Sequence, residues 1–400
     1  MPVTIAKGAG SHVTDIDGST YVDYVCSYGP LILGHAHERV VTAISKQSRL
    51  GTSYGAPTEA ETLLAERVVA AIDSVEKVRF VSSGTEAAMT AVRLARAVTG
   101  KARIIKCIGG YHGHMDALLV SAGSGATTLG TPSSPGVPSA TVSDTLLVEY
   151  NDLAETRSAL ASAGGDVAAI LVEPVAGNMG VVLPKKGYLS GLRELCDRYS
   201  ALLILDEVMT GFRLAYGGAQ SIYGIRPDIT VLGKIIGGGM PVGAVAGPAE
   251  IMDELAPSGN VYQAGTLSGN PVAMAAGLAT LETLQEDGFY EELESTSAKL
   301  EAGLTAAAGS AGLAGQICIT RAGSMLCCFF APGPVRNYTD ATAGNLEAFA
   351  SYFRCMLDAG IYLPPSQFEA IFVSAAHAND DVDHTVQAAH KAFAEAAKLM

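Results

Sequence analysis

The chain alternates short apolar runs with stretches of helical periodicity. Val78-Arg-Phe-Val81, Arg103–Cys107, Ala168–Val172, Leu202–Leu205, Ile229–Leu232 and Val242–Ala246 are rich in Val, Ile and Leu and read as buried strands. Between most of them lie helical segments, among them 58–73, the run opened by Glu86-Ala-Ala-Met89, and Leu189–Arg198. Strands that alternate with helices predict a mainly parallel sheet covered on both faces. Residues 50–290 are therefore expected to form one α/β domain. Ahead of it, Asp17-Gly18 separates two alternating runs, Val13–Ile16 and Thr20–Val25, which predicts a hairpin. From about residue 290 the pattern changes. Helix Leu293–Ala307, strand Met325–Phe330, helix Asn345–Ala359 and the amphipathic helix Val382–Leu399 predict a small α+β domain over 291–400. The N-terminal segment 1–49 is expected to join it. Ser121–Gly136, built from Ser, Gly, Thr and Pro, is the one long low-complexity loop, and loops of that kind are commonly functional.

Composition narrows the partners. Apolar residues make up 48% of the chain and charged residues 16%, the profile of a large buried core. The formal charge of −14 argues against nucleic acid or an anionic membrane surface as partner. No apolar run reaches the ~18 residues a membrane span needs. Met1-Pro-Val-Thr-Ile5 does not read as a signal peptide. The seven cysteines lack Cys-x-x-Cys spacing, and Cys107 and Cys196 stand among apolar residues. They read as reduced thiols of a cytoplasmic protein, with no metal site expected.

The candidate chemistry centres on Lys234. It lies in Thr230-Val-Leu-Gly-Lys234-Ile-Ile-Gly-Gly-Gly239, between an apolar strand and a glycine-rich turn. Burial lowers an amine's pKa and frees it to attack a carbonyl, so this is a good Schiff-base lysine. Such chemistry needs a carboxylate that keeps a pyridinium nitrogen protonated. Asp206, delivered at the end of Leu202–Leu205, is placed for that role. The two residues together point to a pyridoxal 5′-phosphate (PLP) enzyme.

Other segments fit the same cofactor. Ser83-Gly84-Thr85 follows a strand and opens a helix, where free N–H groups and the helix dipole make an anion site; an ordinary capped turn is the alternative. Tyr111 follows Gly109-Gly110 and could stack on a planar ring. His112 beside it could serve the cofactor or ligate a metal, while His114 reads as a packed core histidine. Glu173 and Asn178 follow the strand Ala168–Val172, at the carboxyl edge where such sheets bind ligands. Asn178 could reach the cofactor's phenolic oxygen, and Glu173 could equally be structural. Gly265-Thr266 precedes the helix Val272–Leu284; it reads either as a capped helix start or as a phosphate site for a neighbouring subunit.

Taken together, these segments resemble the class III PLP-dependent aminotransferases, and among them the glutamate-1-semialdehyde aminomutases. The likeness runs from Gly18–Tyr24 to Ala376–His377. It is most specific in Gly29-Pro30 with Gly34-His-Ala-His37, Tyr111–His114, Pro132–Gly136, Asp206–Arg213, Gly233–Gly239 and Pro365–Glu369. The resemblance implies the fold-type I PLP-transferase fold and use of PLP and pyridoxamine 5′-phosphate (PMP). It implies intramolecular amino transfer from glutamate-1-semialdehyde to 5-aminolevulinate, which feeds tetrapyrrole synthesis. By the same resemblance Lys234 binds the cofactor covalently and shuttles protons, and Asp206 pairs with the ring nitrogen. Val208 packs on the ring face opposite Tyr111, and Gly84 and Thr85 hold the phosphate. Thr266 reaches the phosphate from the other subunit of a homodimer. Glu369 lies in the substrate pocket, and the loop at about 114–142, with Ser124 in it, is a gate. The family's pattern differs at two places in the substrate pocket. Tyr28 stands where the family has tryptophan. The family's Ser-Pro-Val-Arg-type motif, whose arginine meets the substrate carboxylate, precedes the point where this sequence starts, at Met1-Pro-Val-Thr. The alternative left open is a class III aminotransferase acting on another amino acid or amine.

Overall fold

The structure, a computed structural model, describes residues 3–120 and 134–400. Near the N-terminus, β1 (Ile5–Ala9), β2 (His12–Asp15) and β3 (Thr20–Asp23) form an antiparallel meander, and β2 and β3 flank the expected Asp17-Gly18 turn. The central sheet contains β4 (Lys77–Val81), β5 (Arg103–Cys107), β6 (Thr145–Val148), β7 (Val167–Val172), β8 (Leu202–Asp206), β9 (Ile229–Gly233) and β10 (Gly243–Gly247). These seven strands lie in the order β4-β10-β9-β8-β7-β5-β6. β10 is antiparallel to both of its neighbours, and the other pairs are parallel. Sequence alternation points to a mainly parallel sheet, and the one reversal has a local cause. The connector from β9 to β10 runs only from Lys234 to Val242, too short for the crossover that a parallel return requires.

Every residue of β7, β9 and β10 is buried. That explains why these segments read as continuous apolar runs rather than as alternating ones. Helix Gly84–Thr99 packs across the sheet on a face of Ala87, Ala88, Ala91, Val92, Leu94 and Ala95. Its mostly small side chains let the axis lie close to the strands. Thr58 caps helix Glu59–Ala71 by accepting from the N–H of Glu61, and that helix supports the sheet from the opposite side through Leu64 and Val68.

The C-terminal part supplies β11 (Cys318–Ala322), β12 (Met325–Phe329), β13 (Ile361–Tyr362) and β14 (Ile371–Phe372). β13 pairs in parallel with β3, so N- and C-terminal segments share one sheet. β11, β12 and β14 form a second, antiparallel sheet. Helices Phe289–Ser310, Leu346–Asp358 and Asn379–Ala396 pack around them. Helix Phe289–Ser310 starts a turn earlier than the periodicity of Leu293–Ala307 suggests: its first turn pairs Phe289 and Tyr290, packed on the core, with the exposed Glu291 and Glu292. Helices Glu38–Ser48 and Leu153–Ser162 complete the covering. Among the described residues no helix is long and apolar enough to cross a membrane.

Candidate active site

The carboxyl ends of β7, β8 and β9 and the N-terminus of helix Gly84–Thr99 open into one cavity of about 740 Å³. That is the position at which open α/β sheets bind ligands. Tyr28, Ser83, Gly84, Thr85, Tyr111, His112, Glu173, Asn178, Asp206, Val208, Lys234 and Glu369 all line it.

Asp206 ends β8 and is buried. Its Oδ1 accepts the N–H of Val208 at 3.0 Å, and its Oδ2 lies 2.7 Å from Nδ1 of the buried His112. His112 therefore belongs to Asp206 and not to a metal ligand set. Its Nε2 is buried without a hydrogen-bond partner.

Lys234 follows β9 directly. Its backbone takes a left-handed conformation with φ 49°. The amine donates to the main-chain oxygen of Tyr28 at 2.5 Å. Burial pushes this amine down to about 8; Arg213 adds to the effect, and Glu369, Glu173 and Asp206 oppose it. At mildly alkaline pH a substantial fraction of it is neutral and nucleophilic.

Ser83 caps helix Gly84–Thr99, its Oγ accepting from the N–H of Glu86 at 3.2 Å. The capped-turn alternative is thus realised, and it leaves the first-turn N–H groups at the cavity, where an anion would be held. Thr85 Oγ1 accepts the N–H of His114 at 3.2 Å and lies 3.0 Å from its Nδ1. His114 is exposed, so the expectation of a packed core histidine fails. The Tyr111–His114 segment passes over the helix start because residue 113 is glycine: its φ is +84°, and a Cβ there would lie 2.5 Å from Thr85 Cα.

Glu173 is buried and accepts from the N–H groups of Tyr111 (3.1 Å) and Gly177 (2.8 Å) and from Asn178 Nδ2 (3.0 Å). It ties together two loops of the cavity wall. Burial raises its pKa, and His112 opposes the rise. Tyr28 stands at the mouth, and its phenol is raised by desolvation and by Glu369.

Two predicted groups lie elsewhere. Gly265 and Thr266 are exposed and outside the cavity. The helix after them, Pro271–Leu284, is capped by Asn270, whose Oδ1 accepts from the N–H of Ala273 at 2.9 Å. Ser124 and residues 121–133 of the gate segment fall outside the described residues.

Two buried cations escaped sequence reasoning. Arg213 is 1% exposed and reaches Gly29, Ser324 and Val373. Lys106 is 0% exposed on β5. A lysine inside the apolar run Arg103-Ile-Ile-Lys106-Cys107 was the available signal for the second.

The cavity fits PLP on its own chemistry. It joins a desolvated amine, an acid held by a histidine, and a helix N-terminus. The Aminotransferase class-III family profile matches residues 1–391. The glutamate-1-semialdehyde 2,1-aminomutase of Pelotomaculum thermopropionicum is 56% identical over 393 residues, 98% of this chain and 90% of that protein. The chain belongs to the glutamate-1-semialdehyde aminomutase family of class-III aminotransferases. Among solved structures, an omega-transaminase from Sphaerobacter thermophilus superposes with TM-score 0.91 at 33% identity, covering 99% of this chain and 91% of that one. A glutamate-1-semialdehyde aminomutase from Pseudomonas aeruginosa in complex with PMP superposes with TM-score 0.88 at 29% identity, covering 98% and 88%. The fold is thus that of the fold-type I PLP transferases. It is shared by transaminases and aminomutases alike, and the aminomutase assignment rests on sequence identity.

Proposed function

We propose that this chain converts glutamate-1-semialdehyde to 5-aminolevulinate by moving an amino group within one molecule, with PLP and PMP as its cofactor forms. The observation that carries the cofactor part of the reading is the meeting of Lys234, the Asp206–His112 pair and the Ser83–Thr85 helix start in one cavity. The aminomutase name of relatives at 52–56% identity favours this reading over an aminotransferase with another substrate.

When bound, the cofactor supplies an amine carrier and an electron sink for charge at the substrate carbon. The N–H groups of Gly84 and Thr85, with the Ser83 and Thr85 hydroxyls, would hold its phosphate. Asp206 would keep a proton on the ring nitrogen, with His112 fixing the carboxylate's orientation. Val208 and Tyr111 would pack on the ring, and Asn178 would lie at its oxygen. Lys234 would attach the cofactor and, with its amine free, carry protons to and from the reacting carbons. Glu369 and Tyr28 would face the substrate.

The exposure of Gly265 and Thr266 suits a second copy of the chain, whose phosphate site they would complete in a homodimer. The test is turnover of purified, PMP-loaded protein with glutamate-1-semialdehyde alone. Sustained 5-aminolevulinate formation over many turnovers is expected. A requirement for an added amino donor would overturn the mutase reading. Mixing Lys234→Ala with Thr266→Ala chains tests the shared site: one native-like site per mixed dimer would recover part of the activity that each homodimer lacks.

A further inference from the structure

Lys234 has to let go of the cofactor and return to it during turnover, so its free amine needs a defined place to wait. The main-chain oxygen of Tyr28 receives that amine at 2.5 Å. Tyr28 belongs to an unusual turn. Cys26, Ser27 and Tyr28 have φ values of 45°, 57° and 62°, three consecutive non-glycine residues in the left-handed region, followed by Gly29 at 119°. Left-handed backbone is strained for residues with a Cβ, and such strain persists only where surroundings over-determine it. Gly29 lies directly against the lysine: a Cβ there would be 3.1 Å from Lys234 Cδ and 3.6 Å from Nζ.

Two buried side chains hold this turn: Asp23 accepts from the N–H groups of Val25 (2.8 Å) and Cys26 (3.2 Å) at its start, and Arg213 holds its Gly29 end. Its Nη2 donates to the oxygen of Gly29 at 2.6 Å, and its Nη1 donates to the oxygen of Val373 at 3.1 Å and to Ser324 Oγ at 3.0 Å. The guanidinium also lies over the Phe372 ring, 4.9 Å from its centroid. Among the described residues no carboxylate pairs with it. A fully buried guanidinium without a counter-ion is costly, and here its donors go to a strained turn beside the reactive amine. Its contacts join residues from the N-terminal segment, the central sheet's loop and the C-terminal part.

We propose that Arg213 is a positioning residue: it clamps the left-handed Cys26–Gly29 turn so that the Tyr28 carbonyl fixes the waiting position of the free Lys234 amine. The assignment rests on the reading of Lys234 as the cofactor-binding lysine. Arg213 does not line the cavity, so its effect falls on turnover and not on substrate binding.

The test uses Arg213→Lys and Arg213→Gln. Lysine keeps the charge but cannot bridge Gly29 and Val373 as a planar fork does. Both variants are expected to lower kcat by about 10-fold to 100-fold with KM nearly unchanged. The second readout is acetic anhydride labelling of the cofactor-free protein, followed by mass spectrometry of the Lys234 peptide. The charged groups acting on this amine are Arg213, Glu369, Glu173 and Asp206. Wild-type labelling should rise with a midpoint near pH 8. The midpoint should move upward in Arg213→Gln and stay in Arg213→Lys. Unchanged kcat in Arg213→Lys would overturn the clamp, leaving charge alone. If neither variant folds by circular dichroism, Ser324→Ala removes one partner of the guanidinium and should lower kcat several-fold; an unchanged kcat would count against the proposal. The underlying reading has its own control. Loading wild type with PLP should protect Lys234 from labelling, and failure of that protection would sink the role of Lys234 itself.

Discussion

Two lysines of this chain share an electrostatic fate and differ in everything else. Burial pushes both Lys234 and Lys106 down to about 8. Lys106 points inward from β5, is 0% exposed, and donates to the main-chain oxygens of Leu118 (3.3 Å) and Val120 (2.9 Å). It pins the chain segment that carries Leu119 into the cavity wall. Lys234 stands past the end of its strand and opens onto the cavity, with Asp206, Glu173 and Glu369 around it. A depressed amine therefore marks desolvation; access to a cavity and the company of acids mark chemistry.

The largest test of this contrast is turnover. Lys234→Ala should lower kcat by at least ~10²–10⁴-fold, since on the proposed reading it removes the proton-transfer group. Lys106→Met should leave measurable activity. Equal losses in steady-state assays of the two variants would erase the distinction. Stability against pH comes next. Lys106 has a folded pKa of about 8 against an ordinary 10.5, so the unfolded chain binds more protons between those values. The contribution of Lys106 to stability then rises as pH climbs from about 8 to 10.5, and below 8 the buried amine costs roughly 3 kcal/mol. Buried thiols with raised pKa values slope the other way, so the readout is a difference: from pH 7.5 to 10 in urea unfolding, wild type should gain stability relative to Lys106→Met. The same slope in both would remove Lys106 as its source. The smallest effect is local. Acetic anhydride at pH 8 should modify Lys234 of the cofactor-free protein well before Lys106, whose amine has no path to solvent; mass spectrometry of the two peptides reads the order.

Much of this site was legible in the chain. Lys234 and Asp206 are visible because their burial is set by adjacent apolar runs, Thr230–Gly233 and Leu202–Leu205, and burial is what each role requires. Ser83–Thr85 is visible for a similar reason, since a cap is a matter of a few consecutive residues. His112 was placed at the cofactor, but its partner was not. The hydrogen bond to Asp206 joins residues 94 apart, one on the loop after β5 and one at the end of β8, brought together by the order β8-β7-β5. His114 is exposed where the sequence predicts a packed core histidine, because exposure after a glycine pair depends on which helix start the segment crosses. Gly265 and Thr266 share the composition of an anion turn with Ser83–Thr85 and stand outside the cavity of their own chain.

The alternation of strand and helix, the mainly parallel central sheet, and the placing of Lys234 and Asp206 at strand ends are written in the amino-acid sequence, because each follows from the spacing of apolar residues within a few turns of chain. The tertiary structure alone decided the partners. It set His112 against Asp206, the Tyr28 carbonyl against Lys234, Arg213 against Gly29, and Lys106 beneath Leu119. These are directional contacts between atoms far apart in sequence. Their angles and distances come from strand order and from turns of unusual backbone conformation, which local hydrophobic patterning does not encode.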